Sequence, residues 1–433
     1  MSDSSHQPLS RGHTHDIVMA GLAKRRSAEK RFRLFGLASI VAGLIFLLVL
    51  FVSIIGNGYS AFTYSNVALD ITFDPAVIDP EGHRNPGTLA AADYDTLWKA
   101  SLEKLFPDVT GRQQKRALNA FMGFSADKRL KDMVIGDPSL IGTTKTVWLP
   151  VDDTIDMLIK GKLGNEEELN ERHLLDQAWI KALQDQNRIR SSFNREFFTN
   201  GDSREPEAAG IWGAVTGSAL TLLITIGLSL PIGIAAAIYL EEFAPRNRWT
   251  DLIEVNINNL AAVPSIVFGL LGLAVFINFF GLPRSSPLVG GLVLTLMTLP
   301  VIIIAARSAL KSVPPSVREA ALGIGASPVQ MVFDHVLPLA VPGIMTGAII
   351  GTARALGESA PLLMIGMVAF IVDIPKTFTS AATVLPVQIY LWADSPERAF
   401  NERTSAAIMV LLAFLMIMNG FAVYVRRRYE RRW

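Results

Sequence analysis

Hydrophobic residues along this chain gather into six long stretches that are separated by polar segments. The first, residues 34–56, is 23 residues long and contains no charged side chain. As a helix it would be about 34 Å long, which is enough to cross a membrane as an uncleaved anchor. The other five stretches lie at roughly residues 211–240, 260–280, 288–306, 341–358 and 405–425. The pattern predicts an all-α polytopic membrane protein with six transmembrane helices.

The segment between the first two stretches, residues 57–209, contains no apolar run of membrane length. Residues 61–73 alternate as a strand does, and residues 94–106 and 166–198 have helical patterns. A segment of this length can form one small domain, so we predict an inserted α/β or mostly helical domain. Such a domain would either dock or sense a ligand or merely decorate the membrane part, and the sequence favours neither.

Composition agrees with a membrane protein and excludes several functions. Half of the residues are hydrophobic and 18% are charged, which is unlike a soluble domain of this length. The absence of cysteine excludes disulfides and thiolate metal sites, and the pair His13 and His15 lacks a third ligand. No Gly-x-x-x-x-Gly-Lys-Ser/Thr motif occurs, so the chain is not itself an ATPase. We also find no catalytic constellation and expect no enzyme activity and no nucleic-acid partner.

Basic residues in the short flanks of the six stretches predict the orientation. Most of them lie on the side that holds residues 1–33, the segment 312–338 and the tail 426–433. The flanks on the other side hold only Arg284, Lys376, Arg398 and Arg403. Because basic flanks face the cytoplasm, both termini and the 312–338 segment are predicted to be cytoplasmic and residues 57–209 extracytoplasmic. We expect this arrangement in a bacterial inner membrane, with residues 210–425 as the transmembrane domain.

The polar segment 312–338 has the signals of a short helical hairpin. Pro314 and Pro315 end the preceding helix, and Ser316 and Glu319 have the spacing of a capping box for a new one. Ala320 and Ala321 keep one face of that helix thin, and the glycines that follow, Gly323 and Gly325, break it.

A second helix is predicted to begin at Ser327 and Pro328. It carries an apolar stripe, consisting of Val329, Val332, Phe333 and Val336, and Leu337-Pro338 closes it before the next stretch. Two short helices at an angle, with a charged residue beside small ones, suit insertion into a groove of another protein. The alternative is an amphipathic loop that lies on lipid headgroups.

The order Glu-Ala-Ala, three residues, Gly, nine residues, an apolar position, one residue, Leu-Pro is specific. It resembles the cytoplasmic coupling loop of importer-type ABC permeases, although His335 stands where that family usually has an aliphatic residue. Roughly half of the chain is similar to the phosphate-specific ABC transporter permeases of the PstA type. The similar stretches are residues 237–244 (AIYLEEFA), 264–272 (PSIVFGLLG), 354–363 (RALGESAPLL), 386–390 (PVQIY) and Trp392.

This resemblance implies the type I ABC importer permease fold and a subunit of a phosphate importer. The implied partners are a second homologous permease, two copies of a cytoplasmic ABC ATPase, an extracytoplasmic phosphate-binding protein and membrane lipid. The implied coupling residues are Glu319, Ala320, Ala321, Gly325, Leu337 and Pro338. ATP and Mg would be used by the partner ATPase, and no cofactor would be bound by this chain.

The fifth stretch contains the best candidates for the substrate pathway. Gly343, Gly347 and Gly351 repeat every four residues and favour close helix contact. Arg354 and Glu358 lie four residues apart in an apolar environment, so we expect them to face the bundle interior and each other. Arginine presents a planar fork that suits phosphate, and Glu358 would moderate its charge. The alternative is a structural ion pair that locks helices.

The apolar run at residues 361–372 is too short to cross the membrane again and is predicted to be re-entrant or interfacial. The alternatives to phosphate import are a permease for molybdate or sulfate and a membrane sensor that uses the inserted domain. The polar residues before Gly12 are predicted to be disordered.

Overall fold

The computed structural model describes the backbone of residues 11–163, 171–368 and 370–429. It consists of two compact units that meet after Gly56. The first unit contains most of helix α1 (Arg11–Gly58), whose apolar side chains are exposed. The helix therefore begins well before the predicted span at residue 34, and the predicted disorder before Gly12 lies almost wholly outside the described residues.

The remainder of the described chain contains three strands and eighteen further α-helices. The strands are β1 (Thr63–Thr72), β2 (Thr144–Pro150) and β3 (Ile189–Phe193). The helices up to residue 199 are α2 (Pro75–Ile78), α3 (Pro86–Ala91), α4 (Asp95–Leu105), α5 (Arg112–Asn119), α6 (Ser125–Gly136), α7 (Asp153–Ile159), α8 (Glu171–Asp185) and α9 (Arg195–Thr199). Short 3₁₀ turns lie at Tyr59–Phe62 and Pro138–Leu140.

The helices after residue 210 form the membrane part. They are α10 (Trp212–Ile238), α11 (Arg248–Ala261), α12 (Ser265–Gly272), α13 (Pro287–Lys311), α14 (Pro315–Gly323), α15 (Pro328–Gln330), α16 (Leu337–Gly357), α17 (Ala360–Met364), α18 (Leu385–Ala393) and α19 (Ala399–Tyr429). Wide π turns extend three of them, at Tyr239–Phe243, Leu273–Phe279 and Met331–Val336.

The 57–209 segment is an α/β unit built on a three-stranded antiparallel sheet in the order β2-β1-β3. Alternate residues of the central strand, Val67, Leu69 and Ile71, are fully buried against the surrounding helices. The strand predicted at residues 61–73 and the helix predicted at residues 94–106 are confirmed. The continuous helical pattern predicted at residues 166–198 is wrong, because Asn187 adopts a left-handed conformation (φ 55°) and the chain then pairs with β1 as β3.

Close contact between α13 and α16 depends on the small residues of the fifth stretch. A Cβ atom on Gly343 would lie 2.7 Å from the Cβ of Ala309, and one on Gly347 would lie closer still to the Cβ of Ala305. Helices approach this closely in membranes where small residues replace side chains at the contact. The predicted glycine face is therefore confirmed, and it places α16 along α13.

The third predicted span is not a straight helix. The described residues contain five helices that are long and apolar enough to cross a membrane, and a sixth if α11 and α12 with its π turn count as one span. These two helices meet at an angle of 100° next to Pro264. Proline has no N–H and disfavours the helical conformation of the residue before it, so the helix predicted to begin at residue 260 begins instead at Ser265.

Two carboxyl groups of the 57–209 segment, those of Glu207 and Asp152, are largely removed from water. Glu207 accepts a hydrogen bond from the backbone N–H of Phe124 (2.9 Å), and Asp152 accepts one from that of Thr154 (3.0 Å). Removal from water disfavours a carboxylate, so burial raises the pKa of each to about 7. The folded chain therefore retains protons that the unfolded chain would release near its ordinary pKa.

We expect Glu207→Gln to leave stability almost unchanged at pH 4 and to raise it at pH 8. The glutamate contributes stability below its unfolded pKa near 4.5, and this contribution is lost as the pH rises through about 7. The gain at pH 8 should be about 1–3 kcal/mol, measured by thermal unfolding of the purified chain and by hydrogen exchange of β1. Glu205→Gln, at an exposed glutamate two residues earlier, is the control. Equal effects at both pH values would contradict the assignment.

Candidate functional site

The 312–338 segment forms one short helix followed by the start of a long one. Helix α14 ends at Gly323, and Gly325 adopts a left-handed conformation (φ 93°) that favours glycine. The side chain of Ser327 then accepts a hydrogen bond from the backbone N–H of Gln330, whose side chain accepts one from that of Ser327. The predicted break and the predicted new start at Ser327 are confirmed.

Two details of the predicted hairpin are wrong. Ser316 and Glu319 form no capping box, because α14 begins at Pro315 and has no side-chain cap. Pro338 does not close the second helix either, since one helix runs unbroken from Pro328 to Gly357. The π turn at Met331–Val336 explains this continuity. In a wide turn the hydrogen bonds are already shifted, which makes room for a proline without an N–H.

The coupling residues predicted from the sequence divide between two environments. Glu319 and Ala320 are exposed, whereas Ala321 is buried in a cluster with Val332 and Val336. The predicted apolar stripe is also divided, since its other two members, Val329 and Phe333, are exposed. Buried Met331 takes the place expected for Phe333, because the π turn changes which residues share a face.

The loop exposes four large apolar side chains and one carboxylate. We call this the docking surface, and it consists of Glu319, Leu322, Ile324, Val329 and Phe333. Ile324 is 82% exposed, and among the residues that the structure describes Glu319 has no ion-pair partner. Large apolar side chains grouped on a polar loop are typical of a surface that another protein covers.

A buried ion pair that the sequence analysis missed holds this loop in place. Arg318 in α14 donates hydrogen bonds to both carboxylate oxygens of Glu242, with Nη2–Oε1 at 2.7 Å and Nε–Oε2 at 3.2 Å. Its remaining donors reach the backbone carbonyls of Val313 (2.8 Å) and Leu310 (3.0 Å) at the end of α13. The Glu242 side chain is 6% exposed, and its hydrogen bonds raise the pKa of Arg318.

A second set of ion pairs lies next to the first. Arg307 in α13 contacts Glu241 (3.4 Å) and Glu254 of α11 (2.5 Å), and Lys311 contacts Glu241 (3.6 Å). Adjacent glutamates at the end of an apolar helix are costly unless they are paired. That cost is the sequence signal that could have identified Glu241 and Glu242 as anchors of the loop.

Arg354 and Glu358 form an ion pair with 3.5 Å between Nε and Oε1. Arg354 lies in the last turn of α16 and Glu358 is the residue that ends it. The contact between them was predicted, but the prediction that they face the interior of this chain is wrong, since 45% of the Arg354 side chain is exposed. The helix ends here, which leaves the guanidinium on the outer surface of the bundle.

Contacts along α13 give the depth of this pair. Successive positions of α16, first Gly343 and then Gly351, lie beside Ala309 and Ile302, and Leu362 in α17 lies beside Gly290. Helices α16 and α17 therefore run in one direction along α13, from its end near Ala309 toward its start near Gly290. The ion pair lies beside the middle of α13, at a depth where charges are expensive and commonly functional.

Helix α17 continues the fifth span and does not turn back. Leu362, Ile365 and Met367 are buried, and the N–H of Ser285 donates to the carbonyl of Ile365. The carbonyl of Ile371 accepts a hydrogen bond from the N–H of Asp202 in the 57–209 segment. These contacts carry the chain toward that segment, so the re-entrant prediction for residues 361–372 is wrong.

We expect Glu242→Gln to loosen the loop without unfolding the bundle. Loss of one partner leaves Arg318 with a buried charge that only carbonyls compensate, at a cost of about 1–3 kcal/mol. Amides of α14 should then exchange about tenfold or more faster with deuterium, while those of α13 change little. Lys311→Gln removes one exposed contact and is the control. Unchanged exchange in α14 would mean that the ion pair does not anchor the loop.

Two family profiles match this chain. The profile described as a binding-protein-dependent transport system inner membrane component matches residues 229–431, which contain the docking surface and the Arg354–Glu358 pair. A profile described as a domain of unknown function matches residues 19–168. Among solved structures, an inward-facing form of the MetNI methionine ABC transporter covers 51% of this chain and 98% of that chain, with 20% identity and a TM-score of 0.42.

Curated relatives agree with the first profile. The probable ABC transporter permease YqgI of Bacillus subtilis is 36% identical over 174 residues, which are 40% of this chain and 58% of that protein. The phosphate transport system permease PstA 1 of Mycobacterium tuberculosis is 30% identical over 222 residues, which are 51% and 72% of the two chains. PstA of Pasteurella multocida is 29% identical over 232 residues, 52% and 80%. The chain is a multi-pass membrane protein and belongs to the family of PstA-type ABC transporter permeases.

Proposed function

We propose that this chain is the permease subunit of an ATP-driven importer that moves inorganic phosphate into the cytoplasm. The observation that carries the proposal is the docking surface, an unpaired carboxylate among exposed apolar side chains on a loop that a buried ion pair anchors. Support for phosphate comes from the relatives that are named phosphate transport permeases.

The partners follow from what this chain presents and what it lacks. Its sequence has no phosphate-binding loop, so two copies of a cytoplasmic ABC ATPase would hydrolyse ATP with Mg, and this chain would be non-catalytic. A second homologous permease would cover the exposed Arg354, because a charge at this depth requires a polar neighbour. An extracytoplasmic phosphate-binding protein would deliver the anion on the side of the 57–209 segment, with both termini in the cytoplasm.

A mechanical path connects the docking surface to the charged pair. Phe333 and Arg354 lie on the same unbroken helix, about 32 Å apart along its axis. A force on the docking surface would therefore displace the whole helix as a rigid body, including its end at Arg354. The Arg318–Glu242 pair passes the same movement to the end of α10, so two spans would respond to one ATPase.

At the far end of this path we assign Arg354 to phosphate and Glu358 to its release. The guanidinium fork matches two oxygens of a phosphate. Glu358 at 3.5 Å already compensates the positive charge. An anion passing Arg354 would compete with that carboxylate, which keeps binding weak enough for the anion to leave.

We expect Glu319→Arg to release the ATPase from the complex. The substitution reverses the charge at the centre of the docking surface, where an ion pair with the partner would form. Affinity purification in mild detergent should recover both the second permease and the ATPase with the parent chain. With Glu319→Arg it should recover the second permease without the ATPase. Asp251→Arg makes the same charge change at an exposed site in α11 and should retain both partners. Recovery of the ATPase with Glu319→Arg would contradict the assigned contact.

We expect Arg354→Ala and Glu358→Gln to lower phosphate uptake about tenfold or more while all subunits still copurify. The first removes the group that meets the anion, and the second leaves its charge uncompensated, which slows release. Uptake into proteoliposomes should be measured with phosphate, sulfate and molybdate. Normal phosphate uptake by both variants would leave the pair with a structural role only. Uptake of sulfate or molybdate in place of phosphate would overturn the assigned substrate.

A further inference from the structure

The 57–209 segment contains a cavity that the transport path does not use. Its volume is about 390 Å³, and β1, β3, α6 and α9 contribute to its walls. Three arginines line it, one from each of α6, β3 and α9, namely Arg129, Arg190 and Arg195. All three side chains are exposed, and together they present a concentration of guanidinium donors that an anion could accept from.

Uncharged contacts hold two of these arginines in position. Arg129 donates a hydrogen bond to the side-chain oxygen of Asn66 (3.1 Å), and Arg190 lies over the ring of Trp148 (4.3 Å to the centroid). Among the described residues none of the three arginines takes part in an ion pair, and Arg195 is exposed. Most of their N–H donors therefore remain available, and contacts with Asn66 and Trp148 position Arg129 and Arg190 before any ligand arrives.

Neutral polar groups form the floor of the cavity. Asn66, 2% exposed, donates from its side-chain nitrogen to the hydroxyl oxygen of Ser192 (2.6 Å). Because that hydroxyl accepts this bond, its own hydrogen is free to point into the cavity. A hydroxyl together with several guanidinium donors matches an anion that has oxygens in several directions.

Two carboxyl groups also line the cavity, and burial limits their negative charge. Burial raises the pKa of Glu196 above its usual range and that of Glu207 to about 7. Neither carboxyl lies within ion-pair distance of the three arginines among the residues described. The walls therefore keep a net positive charge near neutral pH, since three cations face only two carboxyl groups.

We propose that this cavity binds a tetrahedral oxyanion and that this oxyanion is inorganic phosphate. The choice of phosphate rests on the proposed function, whereas the assignment of an oxyanion rests only on the cavity. Its position suits a site that holds substrate next to the bundle. Asn194 in the wall donates to the carbonyl of Ala61, and α9 packs on Trp392 through Phe197.

The test is equilibrium binding of radiolabelled phosphate to the full chain in lipid nanodiscs. Arg190→Gln with Arg195→Gln should weaken binding about tenfold or more, since two charge-assisted contacts to the anion would be lost. Arg195→Gln alone should also weaken it, and among the described residues this exposed side chain has no hydrogen-bond or ion-pair partner whose loss would disturb folding. Arg112→Gln with Arg116→Gln, on exposed residues of α5 that do not line the cavity, is the matched control.

Each result supports or overturns the proposal. Phosphate binding that is lost in the cavity variants and retained in the Arg112/Arg116 variant supports it. Binding of sulfate or molybdate at the same arginines, without phosphate, supports the oxyanion site and overturns the choice of phosphate. Absence of binding for all three anions, or binding that the cavity variants do not change, overturns the site. Phosphate uptake by the complex in that case would show that the proposed function stands without it.

Discussion

The arrangement of the loop depends on one buried carboxylate. Glu242 lies at the end of a membrane-spanning helix with 6% of its side chain exposed, and an unpaired charge there would cost several kcal/mol. Arg318 compensates this negative charge with two hydrogen bonds and donates others to backbone carbonyls at the end of α13. One side chain thereby fixes α14 to two spans. Because Arg318 turns inward, its neighbour Glu319 stays on the outer face of the same helix.

In the proposed importer, the same constraint would let the loop transmit force. A loop that the ATPase pulls must be held to the bundle more rigidly than to the ATPase. The ion pairs at Arg318 and Arg307 give the near end of this path its rigidity, and the continuous helix from Pro328 to Gly357 provides the far end. The π turn before Pro338 is what permits this continuity. It is a local irregularity that preserves a long element where a proline would otherwise end it.

The sequence predicted the elements of this protein better than their connections. Apolar stretches, the glycine face on α16 and the Ser327 restart follow from local chemistry, so they were predictable from neighbouring residues. The bend at Pro264 and the continuity through Pro338 were not, because proline ends a helix in one setting and is accommodated in the other. The Arg318–Glu242 pair joins residues 76 positions apart, and no local pattern links them. The exposure of Arg354 also escaped prediction, since it depends on where this chain's own bundle ends.

The 57–209 segment is fastened to the bundle at several points. Lys160 forms ion pairs with Asp156 (2.6 Å) in the same helix region and with Glu402 of α19 (3.2 Å), and the indole N–H of Trp392 donates to Asp202 (2.9 Å). Charges that are this well buried are costly to separate, so the segment and the ends of α18 and α19 should move together. If the segment binds the proposed anion, these contacts would couple its ligand state to the conformation of the bundle, and coupling of this kind acts equally in both directions.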